Sequence, residues 1–169
     1  MFEALSIALT ATLACFHDLG RRRIPNVLTF GSAATALMWA ACTGGLSGFA
    51  WSVSGWLVGC AVLLPVFLLR GMGAGDVKLL GAFGAWLGPV MVLWVAAYGA
   101  IAGGVLAVLV AAWHGYLRKA IFNVGYVLWF WRMAGPRPVP DFTLDDAGGP
   151  RLPYAVPLGL GVVAALWLR

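Results

Sequence analysis

Residues 79–113 read LLGAFGAWLGPVMVLWVAAYGAIAGGVLAVLVAAW, 35 consecutive positions without a formal charge. As one straight α-helix at ~1.5 Å per residue, this run would far exceed a ~30 Å hydrocarbon core, so it must fold back on itself. The LGPV at 87–90 supplies the reversal. Gly88 ends a helix and Pro89 cannot continue one in the same direction. Working outward from this hairpin, the rest of the chain has the same character. Of 169 residues, 62% are hydrophobic and 10% charged, whereas a soluble domain carries about a quarter charged residues. Apolar segments at 3–18, 27–43, 47–69, 74–88, 90–112 and 152–168 predict an all-α, polytopic integral membrane protein of about six transmembrane helices. No internal repeat, low-complexity tract or composition shift divides it, so residues 1–169 read as a single membrane-embedded domain.

Between the fifth and sixth segments lies FNVGYVLWFWRM at 122–133, followed by GPRPVPDFTLDDAGGP at 135–150. Tyr126, Trp129 and Trp131 carry rings that favour headgroup depth, which predicts an interfacial helix. A short buried or re-entrant element over 120–134 is the competing reading. The second stretch is a polar loop. Lys and Arg near span ends stay on the cytoplasmic side. With the N-terminus outside, ten of the eleven basic residues fall inside, leaving only Arg169 out. The +5 net charge is thereby a matter of topology and of an anionic inner leaflet, and does not call for a nucleic-acid partner. The first apolar segment has no basic leader before it, so it reads as a retained helix rather than a cleaved signal peptide. Cys15, Cys42 and Cys60 are scattered within spans without metal-ligand spacing, and read as small buried apolar residues. His17 and His114 are isolated, so no metal site is predicted.

Six acids remain to be placed. Glu3 falls outside, and Asp141, Asp145 and Asp146 belong to the polar loop. Asp18 closes the first span in CFHDLGRRRIPN, and Asp76 opens the fourth in GMGAGDVK. Two spans separate these helices, so the chain crosses and returns, and both carboxylates end on one face. A carboxylate at the rim of the hydrocarbon is costly, by about 2.5–3.5 kcal/mol at a span's centre on insertion scales, and marks a functional site by default. Helix-end pairing with Arg21–Arg23 and with Lys78 explains either acid alone, but not their common face. Nor does it explain why Asp76 follows Gly73 and Gly75, which let the backbone bend and another chain approach.

Two carboxyls sharing a site tend to part in acidity, leaving one ionised and one protonated. The ionised member takes a proton from a water held between them, while the protonated member hydrogen-bonds a scissile carbonyl. Peptide hydrolysis then needs no metal, cofactor or nucleophilic side chain.

The residues around these acids carry a resemblance. Asp18 with RRRIPN at 21–26, GMGAGDVKLLGAFGAWLG at 71–88 and LPYAVPLGLG at 152–161 together resemble the type IV prepilin peptidase family, the membrane aspartic proteases with a Gly-x-Gly-Asp motif. The length is similar to the short form found in tight-adherence (Flp) pilus systems. The resemblance implies Asp18 and Asp76 as the catalytic pair, and Gly73, Gly75 and Lys78 as candidate substrate-binding residues. It implies a prepilin substrate with a short basic leader and a hydrophobic helix, cleaved after a glycine at the cytoplasmic face of a bacterial inner membrane. Long members of the family carry an extra cysteine-bearing segment and methylate the new N-terminus; its absence here predicts no methyltransferase activity. Oligomeric state is left open by the sequence.

A transporter relaying protons or cations through the same two acids is the alternative. It predicts inverted repeats, and none is visible around Asp18 and Asp76. The remaining signals are architectural. Gly55-x-x-x-Gly59, Gly84-x-x-x-Gly88 and Gly99-x-x-x-Gly103 place small residues on single helix faces for close packing. Pro65 and Pro157 are expected to kink their helices.

Overall fold

Glycine and proline decide how the apolar runs are cut. The computed structural model describes residues 1–137, 139 and 153–168, which form five helices: α1 (Phe2–Arg21), α2 (Asn26–Leu68), α3 (Ala74–Trp113), α4 (Leu117–Ala134) and α5 (Ala155–Leu168). Two are too long to be single rods, and each is broken at one glycine. Within α2 only Gly45 leaves helical geometry (φ 60°, ψ −145°); within α3 only Gly88 does (φ 79°, ψ 176°). Both conformations are open to glycine and strained for other residues. At each break the chain reverses, setting Gly48 against the Ala40 main chain and Gly84 against Val92. Each long helix is thus a pair of arms, and the reversal expected at 87–90 lies where LGPV puts it.

Three of the helices, α1, α2 and α3, are long and apolar enough to cross a membrane, and α5 is a shorter apolar helix. Their outer surfaces carry bare hydrophobic side chains: Leu57, Ile101, Val105 and Leu109 are each more than half exposed. Such a surface belongs in lipid rather than water.

The first arm of α3 is the axis of the bundle, with residues 79–86 all buried. Small residues let its neighbours close on it. Gly55 on the second arm of α2 meets the main chain of Gly84 and Gly88, Gly59 meets Leu80 and Gly81, and the Trp51 ring seats on Gly88. The Ser52 hydroxyl donates to the Ala85 carbonyl at 2.7 Å inside this seam. On the other side, Gly161 of α5 lies on the main chain at Val95 and Gly99, while Gly99 and Gly103 receive Leu158 and Tyr154. All three predicted small-residue faces therefore serve helix packing.

The remaining contacts fix directions. Thr10 bonds Ser32 at 2.9 Å and Trp39 bonds Glu3 at 3.0 Å, so α1 runs antiparallel to the first arm of α2. Lys78 bonds Asn26 at 2.9 Å and Trp86 bonds Ser32 at 3.0 Å, so the first arms of α2 and α3 run parallel. The end of α1 and the starts of α2, α3 and α5 consequently share one end of the bundle. Helix α4 follows from that end with no buried residue. Tyr126 and Trp129 are exposed, while Trp131 is half-buried and its indole N–H donates to the Arg137 carbonyl at 3.0 Å.

Some local expectations change. Pro157 stands in the first turn of α5, where an amide hydrogen has no intrahelical partner to lose, and Pro65, near the end of α2, keeps helical φ/ψ. Cys15 and Cys60 are half-buried, but Cys42 is exposed on the outer surface rather than buried. His17 and His114 each bond the carbonyl one turn earlier, Leu13 and Val110. Among the described residues no group of His, Cys, Asp and Glu could hold a metal ion. The loop acids Asp141, Asp145 and Asp146 lie outside the described residues, as do Arg151 and Arg169.

Candidate active site

At the shared end of the bundle, three helix termini meet. Helix α1 stops because Arg22 turns left-handed (φ 51°), its N–H returning to the Asp18 carbonyl. That stop holds Asp18 in the last turn, on the inward stripe with Ile7, Thr10 and Ala14. Its side chain is only 8% exposed. The buried carboxyl group has a partner in the main chain: the Ala155 N–H donates to Asp18 Oδ2 at 2.9 Å. Ala155 is the first residue of α5, where amide hydrogens are unpaired and the helix dipole favours an anion. The same residue is gripped a second time, its carbonyl accepting from the Cys15 thiol at 3.4 Å. Asp18 therefore fastens α5 to α1 as well as standing at the site.

Asp76 arrives from the opposite direction, in the first turn of α3. Gly73 is the residue before that helix, extended at φ −78° and ψ 151°, and its carbonyl accepts the Asp76 N–H at 3.3 Å. The Asp76 carboxylate turns back toward the Gly73 N–H, the return half of a capping box. Asp76 is half-buried, and each acid lies within electrostatic range of the other. Tyr154, next to the amide that holds Asp18, lies within range of the Asp76 charge. Its ring covers Gly103, 3.1 Å from where a Cβ would stand.

Gly75 shows what the motif glycines do locally: a Cβ there would stand 3.3 Å from Ile24. The chain that approaches Gly75 here is the link between α1 and α2. Lys78 does not pair with either acid in this arrangement. Its ammonium donates to Asn26 Oδ1 at 2.9 Å and sits 5.2 Å from the centre of the Phe30 ring, clipping the start of α3 to the start of α2. Asn26 thus ties α2 to α3, and Tyr154 and Ala155 stand beside the two acids. The PY of LPYAVP was the visible signal for the last two; a main-chain donor has none of its own.

Chemically, the end of the bundle offers two carboxyl groups within range of one another, Asp18 against the first amide of α5 and Asp76 in the first turn of α3 against the Gly73 amide, with no metal ligand set among the described residues. Two carboxyl groups in such a setting are able to take up and give back a proton. No match was found among curated proteins or among solved structures. The model of the type IV leader peptidase family matches residues 5–108, which takes in both acids and stops short of α4 and α5. Nothing in that match favours ion transport. With well over half of its length matched, the chain belongs to the type IV leader peptidase family, membrane proteases that act on prepilins.

Proposed function

We propose that this protease is of the aspartic type and that Asp18 and Asp76 are its catalytic pair. The observation that carries the reading is the convergence of the two acids, from separate helices, at the start of α5. In the proposed reaction the ionised aspartate takes a proton from the attacking water as its oxygen bonds to the scissile carbonyl carbon. The protonated aspartate donates a hydrogen bond to the carbonyl oxygen. Collapse of the tetrahedral intermediate breaks the C–N bond, and a carboxyl proton goes to the leaving amine. The pair titrates as a unit, so neither role is assigned to one residue.

The arms of α2 and α3 together with α1 and α5 make six crossings in this reading, forming one domain with its N-terminus outside. Arg21–Arg23, Arg70, Arg118 and Lys119 all gather at the end that carries the acids, which favours a cytoplasmic orientation of that end. The substrate is then a prepilin whose basic leader stays in the cytoplasm while its apolar helix lies in the bilayer, in a bacterial inner membrane and of the Flp-like kind. Gly73 and Gly75 shape the backbone beside Asp76, and Lys78 braces the α2–α3 corner against which the leader would lie.

The test is cleavage of a prepilin-like peptide by the purified protein in detergent, repeated with Asp18→Asn and Asp76→Asn. Each variant is expected to lose about 10²- to 10⁴-fold in rate, with a bell-shaped pH profile for the wild type. Below the bell both acids are protonated and no base remains; above it both are ionised and no acid remains. Full activity in either variant ends the proposal.

A further inference from the structure

The seam between α1 and the first arm of α2 is not closed. It holds an open cleft of about 490 Å³, walled by Leu9, Leu13, Val27 and Leu28 and floored by Thr10 and Ser32. The floor is fixed by a hydroxyl pair, Thr10 to Ser32 at 2.9 Å, and by the Trp86 indole donating to Ser32 at 3.0 Å. The cleft runs along α1 from Ser6 to His17 and along α2 from Thr35 back to Pro25, a length of ~16 Å at helical rise. One end lies at His17 and Pro25, at the end of the bundle that carries Asp18.

We propose that this cleft seats the apolar helix of the substrate, delivering the peptide bond beyond that helix's end to the acid pair. The inference rests on the aspartic protease reading and adds where the substrate's membrane segment binds. Three observations select a helix over other occupants. The lining contains no Asp, Glu, Lys or Arg, which suits an uncharged segment within the bilayer. It is rich in small and hydroxylated residues, Ser6, Thr10, Gly31, Ser32 and Thr35, the composition that lets one helix backbone approach another and gains little from an acyl chain. Finally, the cleft runs along α1 and reaches the end of the bundle that carries the acids, so a helix lying in it alongside α1 ends at the level of the acid pair.

The full chain in lipid vesicles carries a photo-reactive benzoylphenylalanine at Leu9 or Val27 in the cleft, or at Leu57 or Val105 on outer faces, all four being more than half exposed. The probe is a synthetic prepilin-type peptide with a basic leader, a glycine and an apolar helix of ~20 residues. Cross-linking to the peptide's helix is expected to be at least tenfold higher from the cleft positions. Equal yields overturn the proposal, as do cleft adducts made only with lipid or with a second copy of the chain.

A second arm uses Gly31→Leu, because a side chain at Gly31 meets nothing within 4 Å and would project into open space. It is expected to raise KM for the helix-bearing peptide at least tenfold with kcat within threefold of wild type. Gly104→Leu, equally free of neighbours on the second arm of α3, is the comparison and should leave both constants within twofold. An unchanged KM in Gly31→Leu, or a fall in kcat alone, overturns the seat. Cleavage by the wild type is scored in the same reactions. Selective cross-linking without cleavage would sink the protease reading and spare the cleft, whereas cleavage without selective cross-linking does the reverse.

Discussion

The two seams of α2 are built to opposite rules. Against α3, its second arm closes glycine on main chain, with Gly55 on Gly84 and Gly59 on Leu80 and Gly81, and a fully buried serine hydroxyl bonds across the seam. Against α1, its first arm is spaced off by a cleft and joined by polar clips, Thr10 to Ser32 and Trp39 to Glu3. In lipid, where apolar surface gains nothing from leaving water, close backbone approach is what holds helices together. The glycine seam is therefore the permanent one, and the clipped seam is the one that can part without unmaking the fold.

Substituting the same residue into both seams gives the widest contrast. Gly84→Leu has no room, because even a Cβ there collides with the Gly55 carbonyl, and overpacking should cost about 3 kcal/mol or more in an SDS-titrated unfolding experiment. Gly31→Leu on the clipped side should stay within about 0.5 kcal/mol, as for an ordinary surface site. Comparable losses at the two positions would erase the distinction.

Gly88→Ala comes next. Its backbone strain is worth about 1–3 kcal/mol, and the Trp51 ring occupies the place of the new methyl. Repeating it in a Trp51→Ala background should return the contact part and leave the strain, which the double-mutant cycle reads directly. Ser52→Ala removes a fully buried donor to the Ala85 carbonyl and should cost up to about 1.7 kcal/mol, the upper end for hydrogen bonds between membrane helices, whose average is about 0.6 kcal/mol. Smallest is Thr10→Val, about 0.6 kcal/mol or less, since Ser32 keeps its bond from Trp86.

Much of this was legible in order along the chain. An uncharged run too long for a bilayer, interrupted by LGPV, announces a reversal, and the break at Gly88 is a local event written in two adjacent residues. The Gly-x-x-x-Gly faces are legible for the same reason: helical period alone puts their members on one side. Parity of crossings likewise sends Asp18 and Asp76 to a common end, a geometric result that needs no side-chain detail. Contacts between distant segments are another matter. Nothing around Asp18 shows that its carboxylate will be held from residue 155, or that the space left by Gly75 will be filled by Ile24. Lys78 illustrates the limit well. Charge suggests an acid as its partner, yet packing of the two helix starts brings Asn26 and the Phe30 ring within reach instead. The cleft was illegible as well, because a groove is a relation between two helices and belongs to neither sequence.

The amide that holds Asp18 belongs to the peptide backbone. Every amino acid except proline would present it, so exchanging the methyl of Ala155 for any other group leaves that tether chemically in place. Systematic alanine replacement across the chain would pass over this anchor of the carboxyl group without registering it. An ester in place of the peptide link between Tyr154 and Ala155, which swaps the hydrogen donor for an oxygen, is the change that would make this hidden partner felt.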